Sequence, residues 1–81
     1  MSVTELNEIA HHIDAIRDIP DRQRPHSERA WRTQPGDPIR FQCSRAIEEL
    51  YWQHRESVAF VLRAAPRMLA ELRLRMTEAS A

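Results

Sequence analysis

The chain has 81 residues, a mass of 9.5 kDa, and twelve basic side chains against twelve acidic ones, so its formal net charge is zero. That length makes one small domain, and the balance argues against a generally basic nucleic-acid binder or an acidic solvating tail. A single cysteine, Cys43, excludes an internally stapled disulfide miniprotein, and no apolar run approaches the roughly 18 residues of a membrane span.

All twelve basic residues are arginine. This reads as the codon drift of a high-GC bacterium, or of a phage or plasmid of one, and hence as a cytoplasmic protein. Selection for planar, bidentate donors is the functional counterpart. A chain this short buries only about 60–65% of its unfolded surface, so a lone monomer is marginal.

Residues 2–18 read as an amphipathic helix. Ser2 and Glu5 have capping-box spacing, and Leu6, Ile9, Ile13 and Ile16 recur at steps of 3, 4 and 3. Glu5, Glu8, Asp14 and Asp18 against Arg17 leave this segment at −3. The opening residues are charged throughout and do not read as a signal peptide. Pro20 disfavours helical geometry in the residue before it, which predicts a stop near Ile19.

Residues 19–37 hold Pro20, Pro25 and Pro35, the single glycine Gly36, and no apolar period. They read as a long Pro/Arg-rich loop. Arg22, Arg24, Arg29 and Arg32 against Glu28 give it +3 before His26 is counted, with Trp31 among the arginines. A short helical turn over 27–32, capped by Ser27, fits within it.

Residues 38–65 read as a long helix, with Asp37 as N-cap and Pro38 at the first helical position. A start at Ser44 is the alternative. Ile47, Tyr51, His54, Val58, Val61, Ala65, Met68, Leu72 and Met76 form a stripe at helical period, which Leu50, Leu62 and Leu69 widen. Pro66 removes a hydrogen bond to the Leu62 carbonyl. The stripe keeps its phase across Pro66 and no turn-forming residues flank it, so a kinked continuation over 66–78 is favoured over a helix–turn–helix.

Residues able to carry chemistry are sparse. His11 and Asp14 have the i, i+3 spacing of metal ligands, with Glu8 adding to it, but His11 and His12 point about 100° apart and no Cys-x-x-Cys or His-x-x-x-His is present; Cys43 and His54 lie 11 positions apart on one predicted helix. Glu48 and Glu49 point to different sides of the helix beside Arg45. With one glycine there is no phosphate-cradling loop. The expectation is a non-enzyme with no catalytic residues, no metal site and no cofactor.

Two features suggest binding. Trp52 stands among charged neighbours, off the apolar stripe. A partner site is therefore expected at Trp52, Arg55 and Tyr51, rimmed by Trp31, Arg29 and Arg32. The alternative is a loop folded over Trp52. The long stripe exceeds what the first helix covers, so an oligomer interface is expected at Val58, Val61, Leu62, Met68 and Leu72.

The combined expectation is an all-α protein whose helical bundle is completed by oligomerisation, as a homodimer or on a larger protein partner, with no membrane association. It works as a non-enzymatic interaction or regulatory protein. The alternative is a small nucleic-acid-binding regulator using the Arg22–Arg32 arm.

Overall fold

Ser2 opens the first helix as its spacing predicts: the Ser2 hydroxyl accepts from the Glu5 amide at 3.1 Å. Asp37 opens the second in the same way, its carboxylate accepting from the Ile39 amide at 2.9 Å with Pro38 at the first helical position. The computed structural model describes residues 1–80 and consists of α1, Val3–Arg32, and α2, Pro38–Ser80. Among the described residues there is no strand, and the fold is all-α.

The long loop is corrected. α1 does not stop near Ile19 but continues through Pro20 and Pro25 to Arg32, leaving only residues 33–37 as connection. An interior proline costs about 3 kcal/mol. Both prolines are exposed, Pro20 on the side of Leu6 and Ile13, so the side chains interrupt no buried packing. The inner surface holds the helix in place: Ile19 is 1% exposed, and Gln23 Nε2 donates to the Ile47 carbonyl at 3.1 Å. Continuing the first helix's 3,4 spacing past Ile16 gives Ile19, Gln23, His26 and Ala30, all buried or half-buried.

The reversal is tight. Thr33 ends α1 by donating its hydroxyl to the Arg29 carbonyl at 2.7 Å. The Asp37 amide then donates to the Gln34 carbonyl at 3.1 Å across Pro35 and Gly36. Gly36 has φ +90°, as the third position of a type II turn requires.

α2 runs without interruption past Pro66 to Ser80, two residues beyond the expected end. A 43-residue helix is about 64 Å long, and the molecule measures 65 × 17 × 16 Å. The chain therefore does not reverse at Pro66, and the helix–turn–helix alternative is set aside.

The two helices pair antiparallel along a seam of 3,4 spacing, the spacing of a coiled coil. α1 supplies Ile9, His12, Ile16 and the four residues above; α2 supplies two rows, Cys43, Leu50, Ser57, Ala64 and Ile47, His54, Val61, Met68. His12 Nδ1 lies 2.9 Å from Ser57 Oγ, Arg67 pairs with Glu5, and the Met1 ammonium pairs with Glu71 at 3.2 Å. Together with Gln23 to Ile47 these contacts set the register over the length of α1. Beyond Glu71, α2 overhangs the start of α1, and Leu72 and Leu74 are exposed there.

Candidate functional site

The α2 stripe is three rows wide, and the hairpin spends two of them. The third row, Tyr51, Val58, Ala65 and Leu72, lies beside the seam and is exposed or half-buried. The predicted stripe is thus corrected: Cys43, Leu50, Ser57 and Ala64 turn inward in place of Tyr51 and Ala65. Two helices close on each other over a two-row contact, so an additional apolar row is left over.

At 100° per residue the leftover surface falls on one flank of the hairpin. α1 contributes Leu6 and Ile13, both exposed. α2 contributes Tyr51, Val58 and Leu72, and beyond them the outer row Phe41, Glu48, Arg55, Leu62 and Leu69. Leu62 is 67% exposed and Phe41 71% exposed. Leu6, Val61, Ala65, Met68, Leu69 and Leu72 line an open groove of about 480 Å³ toward the open end of the hairpin. The opposite flank is polar. His11, Arg22, Gln53 and Glu56 line it, with His12 stacked on Phe60 at 4.1 Å between ring centres.

The expected oligomer residues divide between two duties. Val61 and Met68 belong to the intramolecular seam and also to the groove wall. Leu62 and Leu72 make no seam and stand free on the flank. Val58 is half-buried between them. The residues missed from sequence are Leu6, Ile13, Phe41 and Leu69. The spacing of Phe41, Leu62 and Leu69 in multiples of seven is the signal that marks these three as one row of α2.

The expected partner residues do not form one site. Trp52 is 53% exposed on the outer face of α2, opposite the seam. Tyr51 packs edge-on against it at 5.4 Å, and the Arg55 guanidinium lies 5.6 Å from the Trp52 ring centre. Trp31 is 82% exposed at the end of α1, level with the first turn of α2, and so forms no rim to Trp52. Residues level with Trp52 on α1 are near Asp18, because His12 faces Ser57 and Gln23 faces Ile47. The alternative in which a loop covers Trp52 is also set aside, since residues 19–32 are helix.

Arg29 and Arg32 are exposed in the last turn of α1, where a positive charge favours the helix dipole. Other arginines are neutralised locally: Arg17 by Asp14 and Asp18, Arg24 by Asp21, Arg45 by Glu49. The hydrogen bond to Asp18, with the nearby carboxylate charges, raises the Arg17 pKa above its ordinary value. Glu48, by contrast, has no ion-pair partner among the described residues. No family model, curated protein or solved structure matches this chain.

Proposed function

We propose that this chain is a non-enzymatic helical-hairpin interaction protein, working through its apolar flank by self-association or by docking on a larger protein. One observation carries the reading: from Tyr51 to Leu72 an apolar row stays exposed or half-buried, and among the described residues nothing covers it. Exposed contiguous apolar surface of this kind marks an interface. The seam itself is thin, with Ile9, Ile19, Cys43, Leu50 and Ala64 as its buried apolar residues. A two-helix core this small leaves stability dependent on further burial.

The test is affinity capture with the wild-type chain and with Leu62→Arg as bait, alongside an untagged copy of the chain. A chain retained by the wild type and lost from the variant supports the reading, whether it is a different protein or the untagged copy. Retention that ignores Leu62 overturns it.

A second reading is nucleic-acid binding. It is favoured by Arg22, Arg29 and Arg32, which have no ion-pair partner among the described residues and stand toward the polar flank and outer surface of the turn half of α1. Three phosphate contacts predict a shallow but measurable loss of affinity for single-stranded DNA as salt rises. Binding that is flat with salt, or absent, removes this reading.

A further inference from the structure

We infer that the occupant of the apolar flank is a second copy of this chain, lying antiparallel to the first in a two-fold symmetric four-helix bundle. The inference rests on the interaction-protein reading above and names its partner and geometry.

Area supports a second copy. The chain exposes 6645 Å². A compact monomer of its mass exposes about 5,000 Å², so the excess is roughly 1,600 Å², against about 800 Å² per partner in a standard interface. The elongated chain therefore exposes more surface beyond that of a compact monomer than one side of a standard interface buries.

Charge sets the orientation. The outer row of the flank reads Phe41, Glu48, Arg55, Leu62 and Leu69, one residue every seven. A two-fold interface repeats each contact in both directions. If the two α2 helices ran parallel, Glu48 would meet Glu48 of the partner subunit and Arg55 would meet Arg55 of the partner subunit. Run antiparallel about an axis between Tyr51 and Trp52, Glu48 meets Arg55 of the partner subunit and Phe41 meets Leu62 of the partner subunit. Sliding by one heptad either way sets Glu48 on Glu48 or Arg55 on Arg55 again. Like charges face to face select against those registers. Glu48 is unpaired within its own chain, and Arg55 has only the Trp52 ring as partner among the described residues.

The first helix agrees with this register independently. His12 opposite Ser57 and Gln23 opposite Ile47 put the residues near Asp18 level with the axis. Trp31 then falls level with Leu6 of the partner subunit, at the apolar groove. Trp31 occupies the flank side of α1, five helical turns after Ile13. The exposed tryptophan of each turn end therefore meets the groove of the other copy. The charge of the turn end points the same way. Residues 22–45 carry Arg22, Arg24, Arg29, Arg32, Arg40 and Arg45 against Glu28 and Asp37, a charge of +4. Parallel packing would set two such +4 turn ends side by side, whereas antiparallel packing separates them.

The experiment is sedimentation equilibrium of the purified chain with Glu48→Arg, Arg55→Glu and the double swap. The expected mass is twice 9.5 kDa. Each single change turns two attractive pairs into two repulsive ones and weakens the dimer by about tenfold; the double swap restores it. Should a single variant unfold, the geometry is read instead from nitroxide labels on Gln34→Cys in a Cys43→Ala background, Cys43 being the chain's own cysteine and buried. An antiparallel dimer separates the two labels by roughly 45 Å, whereas a parallel one brings them within about 25 Å. A short distance, or a double swap that fails to restore the dimer, overturns the geometry. A monomer at all micromolar concentrations overturns the second copy as occupant. If Leu62-dependent capture of a different protein persists in that case, the interaction reading itself survives.

Discussion

The His12 imidazole and the Ser57 hydroxyl meet at 2.9 Å across 45 positions of sequence, in the middle of the seam. Phe60 lies against the other side of the His12 ring at 4.1 Å, stacked within 27°. This one histidine therefore ties α1 to α2 by a polar and an aromatic contact at once. Ser57 is buried at 5% exposure, so its hydroxyl depends on His12 for a partner. A register slip of one residue breaks both contacts.

The first prediction follows from that dependence. His12→Leu keeps volume on the seam but leaves the Ser57 hydroxyl unpaired, and costs about 1–3 kcal/mol. Adding Ser57→Ala removes the orphaned hydroxyl and recovers most of the loss. Urea melts at one fixed protein concentration measure both steps. Equal stability of the single and double variants would show that the hydroxyl is satisfied elsewhere.

The second prediction concerns the prolines inside α1. Pro20 and Pro25 interrupt the hydrogen-bond ladder and both are exposed. Pro20→Ala and Pro25→Ala each stabilise the chain, by up to about 3 kcal/mol. At about 4–8 °C per kcal/mol for a domain of this size, the rise in Tm is readily seen. A fall in Tm for either variant means that the proline shapes the helix to fit its partner.

These prolines also mark where the sequence ceased to be legible. The caps at Ser2 and Asp37 were readable because each places an oxygen donor-side at a known offset, and both form. The α2 span was readable because its apolar period never lapses. Residues 19–32 were not, because the seam there is carried by Gln23 and His26, polar side chains that hydropathy cannot count, beside prolines that propensity penalises. Tertiary packing outweighed both local signals. The flank is half legible: Leu62 and Leu72 fall among the expected interface residues, whereas Leu6 and Ile13 read only as part of the first helix's apolar stripe. Which of three apolar rows turns inward depends on the partner helix, and a single helix does not encode it.

The third prediction contrasts two near neighbours. Leu50 is buried in the seam and Trp52 stands on the opposite face of the same helix. Leu50→Ala costs about 2–5 kcal/mol, the range for truncating a core leucine. Trp52→Ala costs less than about 1 kcal/mol, despite deleting the larger side chain, because its site is exposed. Chemical denaturation of both variants checks the pair. A Trp52→Ala loss as large as that of Leu50→Ala places Trp52 in an interface that folding requires.

The last prediction concerns acid. The Glu71 carboxylate accepts a hydrogen bond from the Met1 ammonium at 3.2 Å, and Arg75 lies 3.6 Å away. That hydrogen bond, then the ammonium charge, then Arg75 hold the Glu71 pKa below the usual carboxylate range. The direction fixes the sign. Protonation is harder in the folded chain than in the unfolded one, so the contribution is complete above the unfolded glutamate value of about 4.3. It is lost as pH falls through the lowered folded value. Glu71→Gln removes a titrating group at this site, so the variant loses less stability than the wild type between neutral pH and the acid limb. The contact is only partly buried, with the Glu71 side chain 32% exposed, so salt screens it and the difference narrows as salt is added. Thermal melts from pH 7 to 3, at low and high salt, measure it. A wild-type and variant pair whose Tm curves stay parallel throughout that range would show that the Met1–Glu71 contact does not anchor the open end of the hairpin.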